Sequence, residues 1–456
     1  MTALWTSEEA QGATLGIPSR IFEVNGLSID TRTLRKNDLF VALRGESRDG
    51  HDFVKSAFDA GAGAALVTHR PADVASTLAL LTVANTQRAL EDLAVAARAR
   101  SDARIIAVTG SAGKTTTKEI LRIALGALGA THASAASYNN HWGVPLSLAS
   151  LPRDARYGVF EIGMNHFGEI RSLVGFVRPH VALVTTIAPA HLVFFGTCEA
   201  IADAKSEIFE GIAPGGAALI PSDSPYAERL VARARQAHVS RILKFGANAH
   251  SDARLTDYAE VEDGAHIKAD ICGTPVEFRI GAPGKHVAEN AVGALLAVAM
   301  ADGDVLNAAA ALRQFTALKG RGARFTAGGV DVIDESYNAN PASMAAALAL
   351  LGSAKGRRIA VLGDMLEMGP DGIAHHTGLA EPIERARADL VFVCGTQMKS
   401  LWDVLPASRR GGYAATSAEL AAPLMAALKP GDTVLVKGSL GSKMAVIIDA
   451  LKARGA

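Results

Sequence analysis

A chain of 456 residues, of which 49% are hydrophobic, is too long for one ordinary domain, and its length predicts about three domains. Lysine plus arginine and aspartate plus glutamate both total 46, so the overall charge indicates neither a nucleic-acid partner nor binding to an anionic membrane. The cysteines are odd in number and lack metal-type spacing, the amino terminus has no signal-peptide pattern, and no apolar run approaches a membrane span, so we expect a soluble cytoplasmic protein.

The first part of the chain, residues 1–103, has the pattern of a small α/β domain. A polar segment at 28–32 would end a strand, segment 38–43 is apolar enough for a buried strand, and a helix would open at 49–53. Taken singly, Thr31, Arg32 and His51 are explained better by solvation of the surface than by ligand binding.

A glycine-rich loop follows the apolar, strand-like run 104–108 and precedes a helical pattern at 117–128. Two glycines let the backbone approach a phosphate, a lysine adds charge, and the next threonine stands where a hydroxyl usually binds Mg²⁺. The spacing is two residues shorter than the general phosphate-loop pattern, and a glycine turn without a ligand is the alternative. We predict that the loop binds a nucleotide through Thr109, Gly110, Ser111, Ala112, Gly113, Lys114, Thr115 and Thr116.

Beyond residue 104 strands alternate with helices, as expected for a mostly parallel sheet covered on both faces. Glu161 ends an apolar run, and His191 follows the next one, at 181–187. Ligands of open α/β sheets bind beyond the carboxyl ends of strands, so both side chains should reach the phosphate loop. A carboxylate and an imidazole there suit a divalent cation; a hydrogen-bonded buried pair would explain either residue alone.

Several other polar residues have an ordinary explanation from the sequence alone. Asn139, Asn140 and Asn165 lie in loops, where asparagine often only forms a turn. Lys205 lies on a predicted helix from about residue 199, where a lysine is normally solvated. Asn290, in the first turn of a helix predicted from 284 to 300, could contact an adenine edge or cap the helix. Between 215 and 278 the pattern indicates only short strands and turns.

A domain boundary is predicted in the basic glycine-rich stretch 320–324, because a second α/β rhythm starts at 330–334. Pro341 would begin a helix, and later strands are predicted at 358–362, 390–393 and 433–436. The fold class is therefore α/β with three domains: a small α/β domain at 1–103, a central phosphate-loop ATPase-like domain with a mostly parallel sheet at 104–322, and a Rossmann-like domain at 323–456.

Taken together, the motifs resemble the Mur ligase family over nearly the whole chain. The segments that carry the resemblance are 49–53, 109–116, 139–140, 161–166, 190–191, 204–209, 337–341, 363–365 and 437–439. The Tyr-Asn-Ala-Asn-Pro string at 337–341 favours the family members that add D-alanyl-D-alanine to UDP-N-acetylmuramoyl-tripeptide, and the Asp-Asn-Pro-Arg motif of the third-residue ligase is not found. The resemblance implies an ATP- and Mg²⁺-dependent amide ligase that works through an acyl phosphate, expected to be monomeric.

The resemblance also implies roles for single residues. Catalysis is expected of Lys114, Glu161, His191 and Lys205, and Mg²⁺ binding of Thr115, Glu161, His191 and a carbamylated Lys205. The nucleotide is expected to contact the phosphate loop, Asn290, Glu335 and either Arg321 or Arg324. Substrate binding is expected of Ser28, Thr31, Arg32, Asp49, His51, Asn139, Asn140, Asn165, Tyr337, Asn338, Asn340 and Lys437.

Two positions depart from the family pattern. Asp334-Glu335 replaces a common pair of aspartates, and Leu440 replaces a frequent arginine that could hold a carboxylate. The alternatives to the dipeptide ligase are another amide-forming member of the family, namely the third-residue ligase or a folylpolyglutamate-type enzyme, and a nucleotide-binding regulator without catalysis. The presence of Lys114, Glu161 and Lys205, with His191, argues against a regulator.

Overall fold

The computed structural model describes residues 3–45, 48–135, 137–189, 192–261 and 264–455, and within these ranges the strands form four sheets. The sheets have two, five, nine and six strands. Helices flank the larger sheets, which confirms the predicted α/β class with its three successive α/β units. The exact boundaries at 103/104 and 322/323 stay predictions.

The amino-terminal unit combines a small ribbon with a five-stranded sheet of order β2-β7-β6-β5-β4. Its strands are β1 (Trp5–Thr6), β2 (Ile17–Pro18), β3 (Glu23–Val24), β4 (Gly26–Ser28), β5 (Asp38–Val41), β6 (Ala64–Val67) and β7 (Leu80–Thr82). Its helices are α1 (Ser7–Thr14), α2 (Val54–Asp59) and α3 (Thr86–Ala99). The strands from β4 to β7 pair in parallel, whereas β2 pairs antiparallel to β7.

The central unit holds the nine-stranded sheet, of order β16-β15-β14-β13-β12-β11-β8-β10-β9. Its strands are β8 (Arg104–Thr109), β9 (Thr131–Ala133), β10 (Tyr157–Glu161), β11 (Val181–Val184), β12 (Ala217–Pro221), β13 (Arg241–Gly246), β14 (Ala253–Val261), β15 (Gly264–Ile271) and β16 (Thr274–Ile280). Its helices are α4 (Lys114–Gly126), α5 (Gly143–Ala149), α6 (Glu169–Val177), α7 (Leu192–Phe195), α8 (Cys198–Ser206), α9 (Ala227–Gln236), α10 (Lys285–Met300) and α11 (Val305–Ala311). Pairing is parallel from β9 to β14, and β14 to β16 form an antiparallel meander.

The carboxy-terminal unit is a six-stranded sheet of order β17-β18-β22-β19-β20-β21, parallel except for the edge strand β17. Its strands are β17 (Ala323–Ala327), β18 (Val330–Glu335), β19 (Arg357–Gly363), β20 (Leu390–Cys394), β21 (Arg410–Ala414) and β22 (Asp432–Lys437). Its helices are α12 (Pro341–Gly352), α13 (Gly372–Thr377), α14 (Ala380–Arg385), α15 (Met398–Val404), α16 (Ser417–Ala427) and α17 (Ala445–Arg454). Short 3-10 helices lie at Gly50–Phe53, Glu207–Gly211, Leu312–Gln314, Gly369–Asp371, Ala407–Arg409 and Leu440–Ser442.

The amino-terminal and central units share one hydrophobic core. Trp5 is fully buried and donates from its indole nitrogen to the carbonyl of Ala149, 2.9 Å away, at the end of α5. Leu90 and Leu93 of α3 are buried in the same cluster as Val144 of α5. Because burial of each large aliphatic side chain contributes roughly 1.5–3 kcal/mol, this contact holds the two units together as one body.

Three expectations about local structure were wrong. The phosphate-loop helix α4 begins at Lys114 instead of 117, so the lysine itself lies in its first turn. Asn290 lies in the second turn of α10, which begins at Lys285, and it does not cap that helix. The region 215–278 contains long strands, because the meander β14–β16 extends the sheet. None of the helices in the described ranges is both long and apolar enough to cross a membrane.

Candidate active site

A cavity of about 760 Å³ lies between the central and the carboxy-terminal sheets. It opens at the carboxyl ends of β8, β10 and β11. Strand β8 pairs with β10 on one side and with β11 on the other, and ligands of open α/β sheets bind beyond the strand ends at such a position. The predicted site residues that line it are Ser111, Ala112, Gly113, Lys114, Thr116, Asn139, Asn140, Glu161, Asn165, Asn290, Arg321, Glu335, Tyr337, Asn338, Asn340 and Lys437. Residues from widely separated parts of the chain therefore meet at one cavity.

The phosphate loop is fixed by hydrogen bonds to the strand beside it. The Ser111 amide donates to the Thr186 carbonyl at 2.8 Å, and the Thr185 hydroxyl donates to the Ala112 carbonyl at 2.5 Å. Gly113 precedes α4 with φ of 82°, a left-handed conformation that favours glycine. The loop thus presents the amino end of α4, with its free amides and positive dipole, to the cavity.

Beneath the loop, Glu161 is buried and accepts two hydrogen bonds. The Thr115 hydroxyl donates to Oε2 at 2.8 Å, and the Asn139 amide donates to Oε1 at 2.7 Å. Both carboxylate oxygens are therefore oriented by neighbours that were themselves predicted site residues. A carboxylate and a hydroxyl held together in this way offer the hard oxygen donors that Mg²⁺ prefers.

Lys114 folds back over its own loop, with Nζ donating to the Gly110 carbonyl at 2.8 Å. Removal from water lowers the pKa of this ammonium below its ordinary value, Glu161 opposes the shift, and the positive charge of Arg321 adds to it. The lysine charge is therefore costly without an anion, and a bound phosphate would relieve that cost.

Lys205 is deeply buried, with a relative exposure of 2%, so the expectation of a solvated helical lysine was wrong. Burial holds the pKa of its amine well below the ordinary range, and the nearby charge of Lys114 lowers it further. Within the described residues, the Lys205 amine makes no hydrogen bond or ion pair. The side chain thus brings a basic nitrogen, without a carboxylate partner in the described chain, close to the phosphate loop.

The carboxy-terminal wall of the cavity carries an ion pair between a buried lysine and a partly exposed glutamate. Lys437 is 2% exposed, and its Nζ donates to Glu335 Oε2 at 3.1 Å and to the Asn338 carbonyl at 3.0 Å. The neighbouring Asp334 is fully engaged, since it accepts hydrogen bonds from the Gly320 and Ser336 amides. Glu335 and Lys437 therefore face the cavity, while Asp334 holds the backbone at Gly320 and Ser336 in place.

The structure distinguishes the two arginines that the sequence left as alternatives. The Arg321 guanidinium lies 4.0 Å above the Tyr337 ring and donates to the Ser137 hydroxyl at 3.3 Å, on the edge of the cavity. Arg324 lies in β17, paired with Ile333; its side chain is exposed and is not among those that line the cavity. Arg321 therefore lies at the cavity and Arg324 does not, and a nucleotide contact by either residue stays a prediction.

Three of the predicted asparagines take part in local hydrogen bonds. Asn340 caps α12, where its Oδ1 accepts from the Ser343 amide at 2.9 Å. Asn140 accepts from the Gly143 amide at 2.9 Å, at the start of α5. Asn165 has its backbone amide bonded to Glu169, at 2.7 Å. A role in ligand binding for these three residues stays a prediction.

The predicted substrate residues of the amino-terminal unit do not line the cavity. The buried His51 ring has Nδ1 2.7 Å from Asp49 Oδ1, and its Nε2 accepts from the Thr68 amide at 2.9 Å, so both ring nitrogens are engaged. The Ser28 hydroxyl donates to the Asp30 carbonyl, and the exposed Arg32 pairs with the Asp30 carboxylate. Thr31, between Asp30 and Arg32 in the chain, is partly exposed.

The predicted metal site is only partly within the described chain, because His191 lies outside the described residues. Those that are described contain no cluster of three or more histidine, cysteine, aspartate or glutamate side chains. A Mg²⁺ site can still be completed at Glu161 and Thr115, since this ion often takes one or two carboxylates and fills its shell with phosphate and water oxygens.

Comparison with known proteins identifies the family. Three family descriptions match: the Mur ligase family catalytic domain at 23–124, the Mur ligase middle domain at 108–298, and the Mur ligase glutamate ligase domain at 320–440. A relative from Rickettsia prowazekii (strain Madrid E), named UDP-N-acetylmuramoyl-tripeptide–D-alanyl-D-alanine ligase, is 33% identical over 98% of this chain and 99% of its own. The chain belongs to the Mur ligase family.

Other Mur ligases are similar to this chain over nearly its whole length. The relative of the same name from Escherichia coli (strain K12) is 36% identical over 98% of this chain and 96% of its own. The crystal structure of MurF from Acinetobacter baumannii superposes with a TM-score of 0.86 at 30% identity, covering 98% of this chain and 99% of the other. The family and the three-domain fold that the sequence predicts are thereby confirmed.

Several cavity residues of this Mur ligase were not predicted from its sequence. They are Asp223, Phe245, His286, Glu289, Leu366 and Ser439. Asp223 follows β12 and Phe245 lies near the end of β13, so the rule that ligands bind beyond strand ends could have found both. Leu366 and Ser439 likewise follow β19 and β22. His286 and Glu289 lie on α10 beside Asn290, and a local sequence pattern does not reveal which face of that helix meets the cavity.

Proposed function

We propose that this Mur ligase joins D-alanyl-D-alanine to UDP-N-acetylmuramoyl-tripeptide at the expense of ATP. The observation that carries the proposal is a single cavity with a phosphate loop on one wall and the Glu335–Lys437 pair on the other, in a chain similar over nearly its full length to ligases of that name. The activity is the one that the sequence predicts, an amide ligase of the Mur type.

The reaction would have two steps in this cavity. The γ-phosphoryl group of ATP moves to the terminal carboxylate of the tripeptide, giving ADP and an acyl phosphate. The dipeptide amine then attacks the carbonyl carbon, the bond to phosphate breaks, and an amide, inorganic phosphate and a proton are released. Since the attacking and transferred groups are all anionic at first, the main task of the protein is to neutralise charge and align the groups.

The phosphate loop supplies the charge for the first step. The amides at the start of α4 and the Lys114 ammonium face the cavity and would hold the phosphates. Arg321, stacked on Tyr337 at the cavity edge, would add a second positive charge, and Asn290 beside Gly113 would contact the nucleotide base. Glu335 would accept hydrogen bonds from the ribose, with Lys437 holding its carboxylate in place.

The donor set fits a bound Mg²⁺ ion. Glu161 and Thr115 would hold it, and His191 would join them as the resemblance implies. When bound, the ion would screen the negative charge between the triphosphate and the substrate carboxylate. Asn139 would keep the Glu161 carboxylate oriented when the Thr115 hydroxyl turns toward the metal.

We also propose that Lys205 is carbamylated. In this modification the neutral amine adds CO₂ and loses a proton, so a buried base becomes a carboxylate-like anion. Its support is the burial of the side chain next to Lys114, where a second ammonium is disfavoured and an anion would be favoured. Two carbamate oxygens near the phosphate loop would provide the further hard ligands that Mg²⁺ prefers.

The UDP end of the substrate is assigned to the amino-terminal unit. Arg32 lies near the 137–143 segment that reaches the active site, since Tyr138 adds to the rise in the pKa of Arg32 that its hydrogen bond to Asp30 mainly causes. Ser28 and Thr31 belong to the same short segment of the chain. Asp49 and His51 would act indirectly, because the hydrogen bond between their side chains holds this part of the amino-terminal unit in place. We propose in addition that the enzyme works as a monomer in the cytoplasm, where ATP and nucleotide-linked sugars are available, without nucleic acid or a membrane as partner.

The test is phosphate release by the purified full chain with ATP, Mg²⁺, UDP-linked tripeptide and D-alanyl-D-alanine. We expect phosphate and the pentapeptide product in equal amounts, and release only when both substrates are present. Lys114→Ala should remain folded by circular dichroism and lose turnover, because it removes a cavity-facing charge. ATP binding by the wild type without any amide product would contradict the proposal and favour a regulator.

A further inference from the structure

Two loops of the carboxy-terminal unit are joined into one rigid wall of the cavity. The loop after β19 and the loop after β22 are neighbours because these strands pair in parallel. The Ser439 amide donates to the Asp364 carbonyl at 3.0 Å, the Leu366 amide donates to the Ser439 hydroxyl at 2.9 Å, and the Ser442 hydroxyl donates to the Asp364 carbonyl at 3.0 Å. We call the unit formed by residues 364–367 and 439–442 the paired loops.

The paired loops are also tied to the rest of their own sheet. The buried His376 ring accepts from the Met365 amide at 2.9 Å, and Asp364 Oδ1 accepts from the Met398 amide at 2.8 Å. Five hydrogen bonds therefore determine a short stretch of backbone. Such a wall can discriminate shape, because a ligand that does not fit cannot easily displace it.

The face that the paired loops turn to the cavity is apolar. Leu366 and Leu440 line the cavity with 38% and 65% of their surface exposed, so the hydrophobic core does not account for them. Gly441 packs under Leu366, since a Cβ at this glycine would lie 2.6 Å from a Leu366 methyl carbon. Small side chains of α12, Ala342 and Ala346, continue the same wall.

This wall does not suit phosphates or carboxylates, because leucine and alanine side chains offer them no hydrogen-bond donors. In the proposed function the phosphates and the base of the nucleotide lie across the cavity, at the phosphate loop and Asn290. The groups in the proposed reaction that suit a small apolar wall are the methyl side chains of the D-alanyl residues. The position where the family pattern has a frequent arginine is Leu440, which offers an apolar surface in place of a charge.

We infer that the paired loops, through Leu366, Leu440 and the space left by Gly441, are the specificity-determining surface for the side chains of the incoming dipeptide. This inference rests on the proposed function. Leu366 limits the size of the accepted side chain, and Gly441 leaves room for Leu366 to lie back against the loop. One misplaced methylene-sized group in an apolar pocket changes kcat/KM by roughly 10- to 200-fold, which is the size of the expected discrimination.

The test is a competition in which the full-length enzyme chooses between two dipeptides. D-alanyl-D-alanine is mixed with D-alanyl-D-valine in one series and with D-valyl-D-alanine in another, and the products are counted by mass spectrometry at saturating ATP and UDP-linked tripeptide. The product ratio does not depend on how much of the enzyme is active. Leu366→Ala should raise the share of the valine product by about 10-fold or more in at least one series.

Two further variants make the outcome decisive. Gly441→Ala should shift the ratio the other way, because its methyl group would push Leu366 into the cavity. Leu440→Ala removes a largely exposed side chain, so it should fold and should also raise the valine share. Ile373→Ala is the matched control: this residue is 65% exposed in the same unit but does not line the cavity, and its ratio should equal that of the wild type.

The possible failures are distinguishable. If the wild type forms no amide product with D-alanyl-D-alanine, the proposed function fails and this inference with it. If the wild type is active but the ratios of all three wall variants match the control, only the inference is overturned. A change in preference among tripeptides with different third residues, with unchanged dipeptide ratios, would also overturn it and would assign the wall to the tripeptide.

Discussion

Replacing Gly113 with alanine adds a single methyl group at a tightly packed point of the phosphate loop. The residue has φ of 82° and immediately precedes α4. A Cβ there would lie 2.8 Å from Asn290 Nδ2 and 3.1 Å from Asn290 Oδ1, so the asparagine must move. The substitution therefore disturbs the loop backbone and the proposed base contact together.

The expected cost has two parts. A left-handed conformation costs a residue with a Cβ roughly 1–2 kcal/mol relative to glycine. Overpacking against Asn290 adds roughly 1–3 kcal/mol, toward the lower end if the short side chain rotates out of the way. If about 2 kcal/mol of this total appears in ATP binding, the affinity falls roughly 30-fold, since every 1.4 kcal/mol is tenfold. The remainder should appear as a lower melting temperature.

The measurement combines ATP titration by calorimetry with kcat/KM for ATP and thermal unfolding. Gly126→Ala is the matched control, because this glycine ends the same helix, has nothing within 4 Å of the added Cβ, and should gain up to about 1 kcal/mol from helix propensity. In an Asn290→Ala background, Gly113→Ala should lose less ATP affinity, because the clash with the Asn290 side chain is absent and only the backbone cost remains. Wild-type ATP affinity in Gly113→Ala would refute the loop geometry as the basis of nucleotide binding.

Three further outcomes follow from the same site. Thr115→Val keeps the shape but removes the hydroxyl bonded to Glu161, so we expect a lower rate that excess Mg²⁺ restores only in part; full activity at ordinary Mg²⁺ would exclude Thr115 as a ligand. Lys205→Ala should lose most activity and regain some with added short-chain carboxylates, whereas wild-type activity would rule out the carbamate. A fragment ending at Leu318 should bind UDP-linked tripeptide in calorimetry but form no product; absence of binding would count against a uridine site in the amino-terminal unit.

Local patterns predicted the parts of the site whose geometry is set by neighbouring residues in the chain. The phosphate loop needs only a strand, two glycines and a helix in order, and the structure has them. Glu161 was expected near that loop because it ends an apolar, strand-like run and ligands bind beyond the carboxyl ends of strands, and the structure pairs this strand in parallel with β8. Predictions of this kind depend on topology rules that hold for the whole fold class.

What the sequence did not reveal depends on contacts between distant segments. The burial of Lys205 follows from the packing of α8, and one charged residue on a short helix gives no sign of it. Strand β21 was not predicted; its Gly411 and Gly412 lie against the Phe392 ring of the paired strand β20, where an added Cβ would lie 3.0 Å or less from a ring carbon. Alternating burial in β16 is a signal of the meander that periodicity could have detected.

The distribution of the cores indicates which part of the enzyme can move. One buried apolar cluster runs through α3, α5 and α6, so separating the first two units would expose a large hydrophobic surface. The described apolar clusters of the carboxy-terminal unit stay on its own sheet, whereas Arg321, at the boundary between the two units, donates to Ser137 on the central side and stacks on Tyr337 on the other. Gly320 and Gly322 beside that arginine have φ of 73° and 93°. Because polar contacts exchange readily with water while a shared core does not, closure over ATP should move the paired loops toward the phosphate loop and leave the uridine region fixed to the central sheet.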